Sequence, residues 1–137
     1  MKKVILISGG SDGLGKEIVK KLSPRHTVVN LSLHKEKIDA VVKEFGCEGM
    51  VCDVSDAKAV KEAVARILKK HKRIDCLINN AGIWIQGALE TNEPAKIKQL
   101  LNVNTLGTII PDFFLPSTAN LIFQVNLLSH QTKLSVK

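Results

Sequence analysis

Short apolar runs alternate with amphipathic stretches from residue 3 to about residue 110, and few architectures accept that alternation. The runs Lys3–Ser8, Thr27–Leu33, Gly49–Val54 and Ile74–Asn80 read as parallel strands covered on both faces. Between them, Ile38, Val41, Val42 and Phe45 recur at helical spacing, and Val60, Ala63, Val64, Ile67 and Leu68 do so more fully. Gly46 is placed to end the first of these helices and Ser55 to cap the second. Successive β-α-β units cross over right-handedly, so the pattern predicts an α/β fold, an open twisted parallel sheet with helices on both faces.

The chain has 137 residues, 45% of them hydrophobic, which suits one domain spanning residues 1–137. No apolar run approaches the length of a membrane span, and Val4-Ile5-Leu6-Ile7 is too short and leads into glycines rather than a cleavage site, so it reads as a buried first strand. Three cysteines (Cys47, Cys52, Cys76) form no CxxC, and no histidine pair has zinc-finger spacing. Neither a disulfide framework nor a metal site is expected, and the implied compartment is the reducing cytoplasm. The net charge is +7, and its densest run is Lys69-Lys70-His71-Lys72-Arg73 at the end of a predicted helix. Cations there complement the helix dipole, while the overall positive field also suits an anionic ligand. With aromatics at 4% and no tyrosine, stacking platforms for nucleic acid are poorly supplied, and none is expected as a partner.

The first strand runs into Ser8-Gly9-Gly10-Ser11-Asp12-Gly13-Leu14-Gly15-Lys16-Glu17, followed by a helix with Leu14, Ile18, Val19 and Leu22 on its apolar face. A glycine-rich turn at a helix N-terminus presents free N–H groups and the positive dipole end, a natural phosphate site. Gly10 to Lys16 matches the G-x-x-x-x-G-K of a P-loop NTPase, but Glu17 stands where a hydroxyl should hold magnesium. The competing pattern is Gly9-x-x-x-Gly13-x-Gly15.

That pattern, with Ser8 in place of threonine, resembles the Thr-Gly-x-x-x-Gly-x-Gly loop of the short-chain dehydrogenase/reductase family. Three further segments follow in the family's order. Asp53-Val54 is similar to the family's Asp-Val pair, whose carboxylate bonds the adenine amino group. Asn79-Asn80-Ala81-Gly82 matches the Asn-Asn-Ala-Gly motif without change, and Asn104-Thr105-Leu106-Gly107 resembles the Asn-x-x-Gly of the fourth long helix. The resemblance covers residues 3–110 and implies a Rossmann-type doubly wound sheet of strand order 3-2-1-4-5, incomplete at its C-terminus. It implies a cofactor site formed by Ser8, Gly9, Ser11, Asp12, Gly13, Leu14, Gly15, Ser32, Asp53, Val54, Asn80, Ala81 and Gly82. Asn79 and Asn80 also suit plain turn positions. Asn104 lies on a stripe with Ile97, Leu100 and Leu101, where an unpaired amide is costly; in the family the matching residue bends its helix and holds a water of the proton relay. Trp84 falls either near the nicotinamide or in the core.

The resemblance implies NAD or NADP as cofactor without choosing between them. An acidic residue at the end of the second strand marks NAD users, and a cation there or before the second loop glycine marks NADP users. Ser32-Leu33 and Asp12 supply neither; Ser32, His34 and Lys35 could receive a 2′-phosphate that Asp12 would repel. The family's chemistry rests on a Tyr-x-x-x-Lys pair and a serine, and this chain contains no tyrosine. A fifth strand is predicted at Asn120–Asn126, putting Ser129 near the serine's place, with Ser129-x-x-x-Lys133 as a weak substitute pair. Residues 111–137 are atypical for the family, and Pro111 is expected to interrupt its helix. The sequence therefore reads as the dinucleotide-binding portion of a short-chain dehydrogenase/reductase-like oxidoreductase, truncated before the tyrosine and not catalytic alone. The alternatives are a self-associating interaction module with vestigial nucleotide binding, and the P-loop NTPase. A homo-oligomer is expected in either of the first two cases, and no membrane partner.

Overall fold

The computed structural model describes residues 1–87 and 91–116 and the backbone of residues 121–124. The order along the chain is β1 (Val4–Ser8), α1 (Gly13–Leu22), β2 (Thr27–Ser32), α2 (Lys35–Phe45), β3 (Glu48–Val51), α3 (Ala57–His71), β4 (Cys76–Asn79), α4 (Pro94–Leu101), a π-helical turn (Asn102–Leu106), α5 (Gly107–Phe113) and β5 (Leu121–Gln124). The strands form one parallel sheet in the order β3-β2-β1-β4-β5, the order the family resemblance implies. Leu6 at its centre stands opposite Val29 on one side and Leu77 on the other.

Because side chains alternate across a strand, β1 feeds two cores. Val4 and Leu6 join Val29, Leu31 and Leu77 beneath Val60, Val64 and Ile67 of α3, with Ile110 of α5 packed against them. Ile5 and Ile7 join Val28, Cys76 and Ile78 beneath Val19 of α1 and Val41 of α2. Both sheet faces are thus covered, which explains the unbroken apolar runs.

Several elements end earlier than periodicity suggests, for local reasons. β3 stops at Val51, and Asp53 then folds back, its Oδ1 accepting from Ser55 N (2.9 Å) and Ser55 Oγ (2.7 Å). Asp53-Val54 consequently lies beyond the strand rather than at its end. With the Ser55 hydroxyl engaged there, the cap of α3 is Asp56, whose Oδ1 accepts from Lys58 N (2.9 Å) and Ala59 N (3.2 Å). Gly46 does end α2, in the left-handed conformation at φ 68°.

Two expectations for the helix before β5 are corrected. Pro111 does not interrupt it: α5 runs through to Phe113, and burial of the proline ring offsets the hydrogen bond it cannot donate. Leu101, the last residue of α4, does not share the inward stripe, being 54% exposed; beyond it Val103, Gly107 and Pro111 face inward. Of the basic run, Lys70 and His71 reach Glu48 (2.8 and 3.2 Å) and Arg73 pairs with Asp75.

Candidate nucleotide site

The glycine loop is shaped from below by Asn30, fully buried within the apolar run of β2. Its Oδ1 accepts from Gly10 N (2.8 Å) and Ser32 Oγ (2.9 Å), and its Nδ2 donates to Ser11 Oγ (2.7 Å). Sequence reasoning missed this residue, although a lone amide inside an apolar strand was the available signal, since a buried polar group needs partners.

From the side, the loop is locked to the end of β4. Ser8 Oγ accepts from Asn80 N (3.1 Å) and Ala81 N (3.0 Å), while Asn80 Nδ2 donates to Ser8 O (3.2 Å) and Gly9 O (2.9 Å). The approach is close enough to require glycine. A Cβ on Gly15 would lie 2.1 Å from Gly9 O, and one on Gly9 would lie 2.8 Å from Ala81 Cα. Gly13 differs: at φ 49° its Cβ position meets nothing within 4 Å and opens into free space.

Gly13 is also among the residues lining a cavity of about 400 Å³ at the carboxyl edge of the sheet, the usual ligand position in open α/β folds. Of the cofactor-site residues expected from the sequence, all line it except Ser8, which lies buried behind and positions Asn80 and Ala81. Leu31, Leu33, His34, Lys37, Cys52, Ile83 and Val103 complete the wall. Burial pushes the Cys52 thiol up to about 11, so it contributes a neutral surface.

Asp12 caps α1, its Oδ1 accepting from Gly13 N at 2.8 Å, and its Oδ2 pairs with Lys37 of α2. The bond from Lys37, then that from Gly13 N, holds the Asp12 carboxyl below its ordinary value. Lys16, the P-loop lysine in the competing pattern, turns away: it pairs with Glu44 at 2.8 Å and lies 5.5 Å over the Phe45 ring. The cradle a triphosphate needs from that lysine is not formed.

Asn104 stands outside the cavity wall and holds Ile83, its Oδ1 accepting from Ile83 N (2.8 Å) and its Nδ2 donating to Ile83 O (2.9 Å). Trp84 is neither in the core nor in the cavity wall; it is 57% exposed. Ser129 and Lys133 lie outside the described residues. Among the described residues no cluster of His, Cys, Asp or Glu could hold a metal, and no helix is long and apolar enough to cross a membrane.

The family model for short chain dehydrogenases matches residues 3–111. The chain belongs to the short-chain dehydrogenase family. This is a family of NAD(P)-dependent oxidoreductases. Curated relatives include 3-ketodihydrosphingosine reductase of Bacteroides thetaiotaomicron, 35% identical over 109 residues, covering 78% of this chain and 38% of the relative. A 3-oxoacyl-[acyl-carrier-protein] reductase of Thermotoga maritima is 34% identical over 113 residues, covering 77% of this chain and 45% of the relative. Among solved structures, the ligand-free aldohexose dehydrogenase of Thermoplasma acidophilum superposes with a TM-score of 0.74 at 28% identity, over 82% of this chain and 42% of that one. The 3-ketoacyl-(acyl-carrier-protein) reductase of Brucella melitensis complexed with NADH gives 0.77 at 29% identity, over 81% and 47%. The chain thus spans less than half the length of these short-chain dehydrogenases.

Proposed function

We propose that the cavity binds the adenosine and pyrophosphate part of NAD or NADP, and that a polypeptide of this sequence is a dinucleotide-binding portion of an oxidoreductase that does not turn over alone. The observation that carries this reading is the cavity itself: the loop clamped by Asn30 and Asn80 at the start of α1 lines it, and a helix N-terminus suits a pyrophosphate. Asp53 and Val54 supply the wall beyond β3, and Ala81 and Gly82 the thin wall beyond β4, which lets a flat ring approach the backbone. When bound, the nicotinamide ring supplies or receives the hydride. With no tyrosine in the chain, the phenol that would deliver the matching proton is missing. Calorimetric titration with NAD, NADP and ADP tests the reading: weak, saturable binding is expected, and no binding of any of the three overturns it.

A second reading, self-association, is favoured by a different observation. Leu101, Leu106, Ile109 and Phe113 line the outer side of α4, the π-helical turn and α5, each between 44% and 80% exposed. Such a stripe on a surface helix suits a second copy of the chain. The three cysteines are free and buried, in keeping with the cytoplasmic location we propose.

A further inference from the structure

The positive charge of the chain is gathered at one end of the fold. Helices that run back against a parallel sheet finish at the edge where the strands begin, which here is opposite the cavity. Lys2 and Lys3 lead into β1, Arg25 into β2 and Arg73 into β4, all of them exposed. Lys20 and Lys21 close α1, Lys43 closes α2, and Lys69, Lys70 and the capping Lys72 close α3. Against these ten cations stand four acids, Glu44, Glu48, Asp75 and Asp112, whereas the other described residues carry eight cations and eight acids. The amino edge therefore holds a surplus of six of the net +7. Among the ten, Lys20, Lys70 and Arg73 alone have a carboxylate within ion-pair reach.

Two ordinary explanations fall short of that surplus. A helix end offsets about half a charge, so α1, α2, α3 and α5 together account for about two. The cavity gains little, because the five residues of β1 set it about 16 Å from this edge and the screening length at physiological salt is about 8 Å. The cations come from both layers and from the sheet between them, since α1 and α2 cover one face and α3 the other. They face a plane rather than line a groove. Eight of the ten are lysines, compact point charges that suit a diffuse field, where the planar fork of arginine suits bidentate contact with single groups.

We infer that the amino edge of the sheet docks on an anionic bilayer surface, with the cavity turned away from the lipid. The expectation of no membrane partner concerned a spanning segment, and none is needed here: the contact is made at the headgroups, is reversible and weakens in salt. It stands independently of what the cavity binds.

The test is co-sedimentation, at about 0.1 M salt, with vesicles of phosphatidylcholine alone and of phosphatidylcholine mixed with phosphatidylglycerol. Two variants of equal net charge are compared with the parent. One carries Lys2→Gln, Lys21→Gln, Arg25→Gln and Lys69→Gln at the edge; the other carries Lys58→Gln, Lys61→Gln, Lys96→Gln and Lys98→Gln elsewhere. All eight positions are exposed, so both variants should fold, which circular dichroism verifies. The parent should bind the mixed vesicles and not the neutral ones. The edge variant should bind about a hundredfold more weakly, and the other within about a few-fold of the parent. Equal weakening of the two variants would show that net charge rather than the edge matters, and overturns the inference. A parent that ignores the anionic vesicles also overturns it, and a DNA duplex retarded by that same parent would make nucleic acid the partner instead.

Discussion

Asn104 grips the backbone of Ile83 from both sides, accepting from its N–H at 2.8 Å and donating to its carbonyl at 2.9 Å. The side chain projects from the π-helical turn, and Ile83 follows directly on the Asn80–Gly82 wall of the cavity. Replacing Asn104 by Ala leaves one backbone donor and one acceptor without partners in a half-buried setting. A loss of about 1–3 kcal/mol is expected, read as a lower urea midpoint with unchanged m-value. Asn104→Asp keeps the acceptor only and should fall between. An alanine variant as stable as the parent would show that water replaces the amide at no cost.

The strands and helices could be read from periodicity, while the sheet order and most of the cavity wall came from the family resemblance, whose motifs are contiguous. Gly9 to Gly15 is a single loop, and Asn80 to Gly82 a single strand end. What could not be read depends on contacts between distant residues or on a choice between equivalent neighbours. Lys37 looks like any exposed lysine at the start of a helix until the crossover sets it against Asp12. Ser55 and Asp56 can both cap a helix; Asp53 decides between them by engaging the serine hydroxyl. Leu100 and Leu101 are adjacent apolar residues at the end of α4, and spacing alone does not tell which of them turns inward: Leu100 is half-buried and Leu101 exposed. Self-association is also expected from the sequence at an open edge on the predicted fifth strand, carrying Leu121, Ile122, Phe123 and Val125, and those side chains lie outside the described residues.

Gly13 and Gly46 both hold positive φ, 49° and 68°, and neither has an atom within 4 Å of its Cβ position. Alanine at either should cost a similar amount of stability, about 1–2 kcal/mol for the left-handed backbone. Only Gly13→Ala should weaken dinucleotide binding, and Gly13→Val should abolish it, because of the two only Gly13 lines the cavity. Calorimetry on the matched pair separates strain from occlusion, and equal binding by the parent and Gly13→Val would sink the loop assignment.

A polypeptide of this sequence should not reduce carbonyl compounds with NADH or NADPH above background. General acid catalysis is worth about 10² to 10⁴ in rate, and no phenol is present to provide it. The measurement is loss of reduced-cofactor absorbance with a panel of aldehydes and ketones. Turnover abolished by both Ser129→Ala and Lys133→Ala would revive those two residues as a proton-delivering pair. Turnover that survives both would require a different donor.

Asp75 ties the start of β1 to the lead into β4: its Oδ2 accepts from Val4 N at 2.7 Å and its Oδ1 meets the Arg73 guanidinium. Burial pushes the Asp75 carboxyl up, but the Arg73 and Val4 bonds together outweigh it and leave the group below its ordinary value of 3.8. A carboxylate depressed on folding adds stability that is fully present above the unfolded value and is lost as pH falls through the folded one. Asp75→Asn keeps an acceptor for Val4 but cannot titrate. Its urea midpoint should be lower than the parent's at neutral pH and should fall less between about pH 5 and pH 2. Parallel pH curves for the two proteins would remove Asp75 from the acid response.

The exposed stripe on α5 makes the oligomeric state testable by surface substitution alone. Ile109 and Phe113 are four residues apart on one helical face, 56% and 80% exposed, and Leu101 and Leu106 extend that face along the preceding turns. Phe114 lies beneath, its ring edge-on to Phe113 at 5.3 Å, so the stripe is backed by ordered structure. A standard interface covers about 800 Å² per partner, and two such stripes packed together would remove large apolar side chains from water at both copies. The parent chain should therefore associate at micromolar concentration, as a dimer or a larger closed assembly. Ile109→Glu combined with Phe113→Glu introduces like charges at facing positions while retaining good helix formers, so it should yield a monomer with an unchanged circular dichroism spectrum. Light scattering decides the matter. A monodisperse monomeric parent, or a doubly charged variant that associates as strongly as the parent, would place the exposed stripe outside any interface between copies.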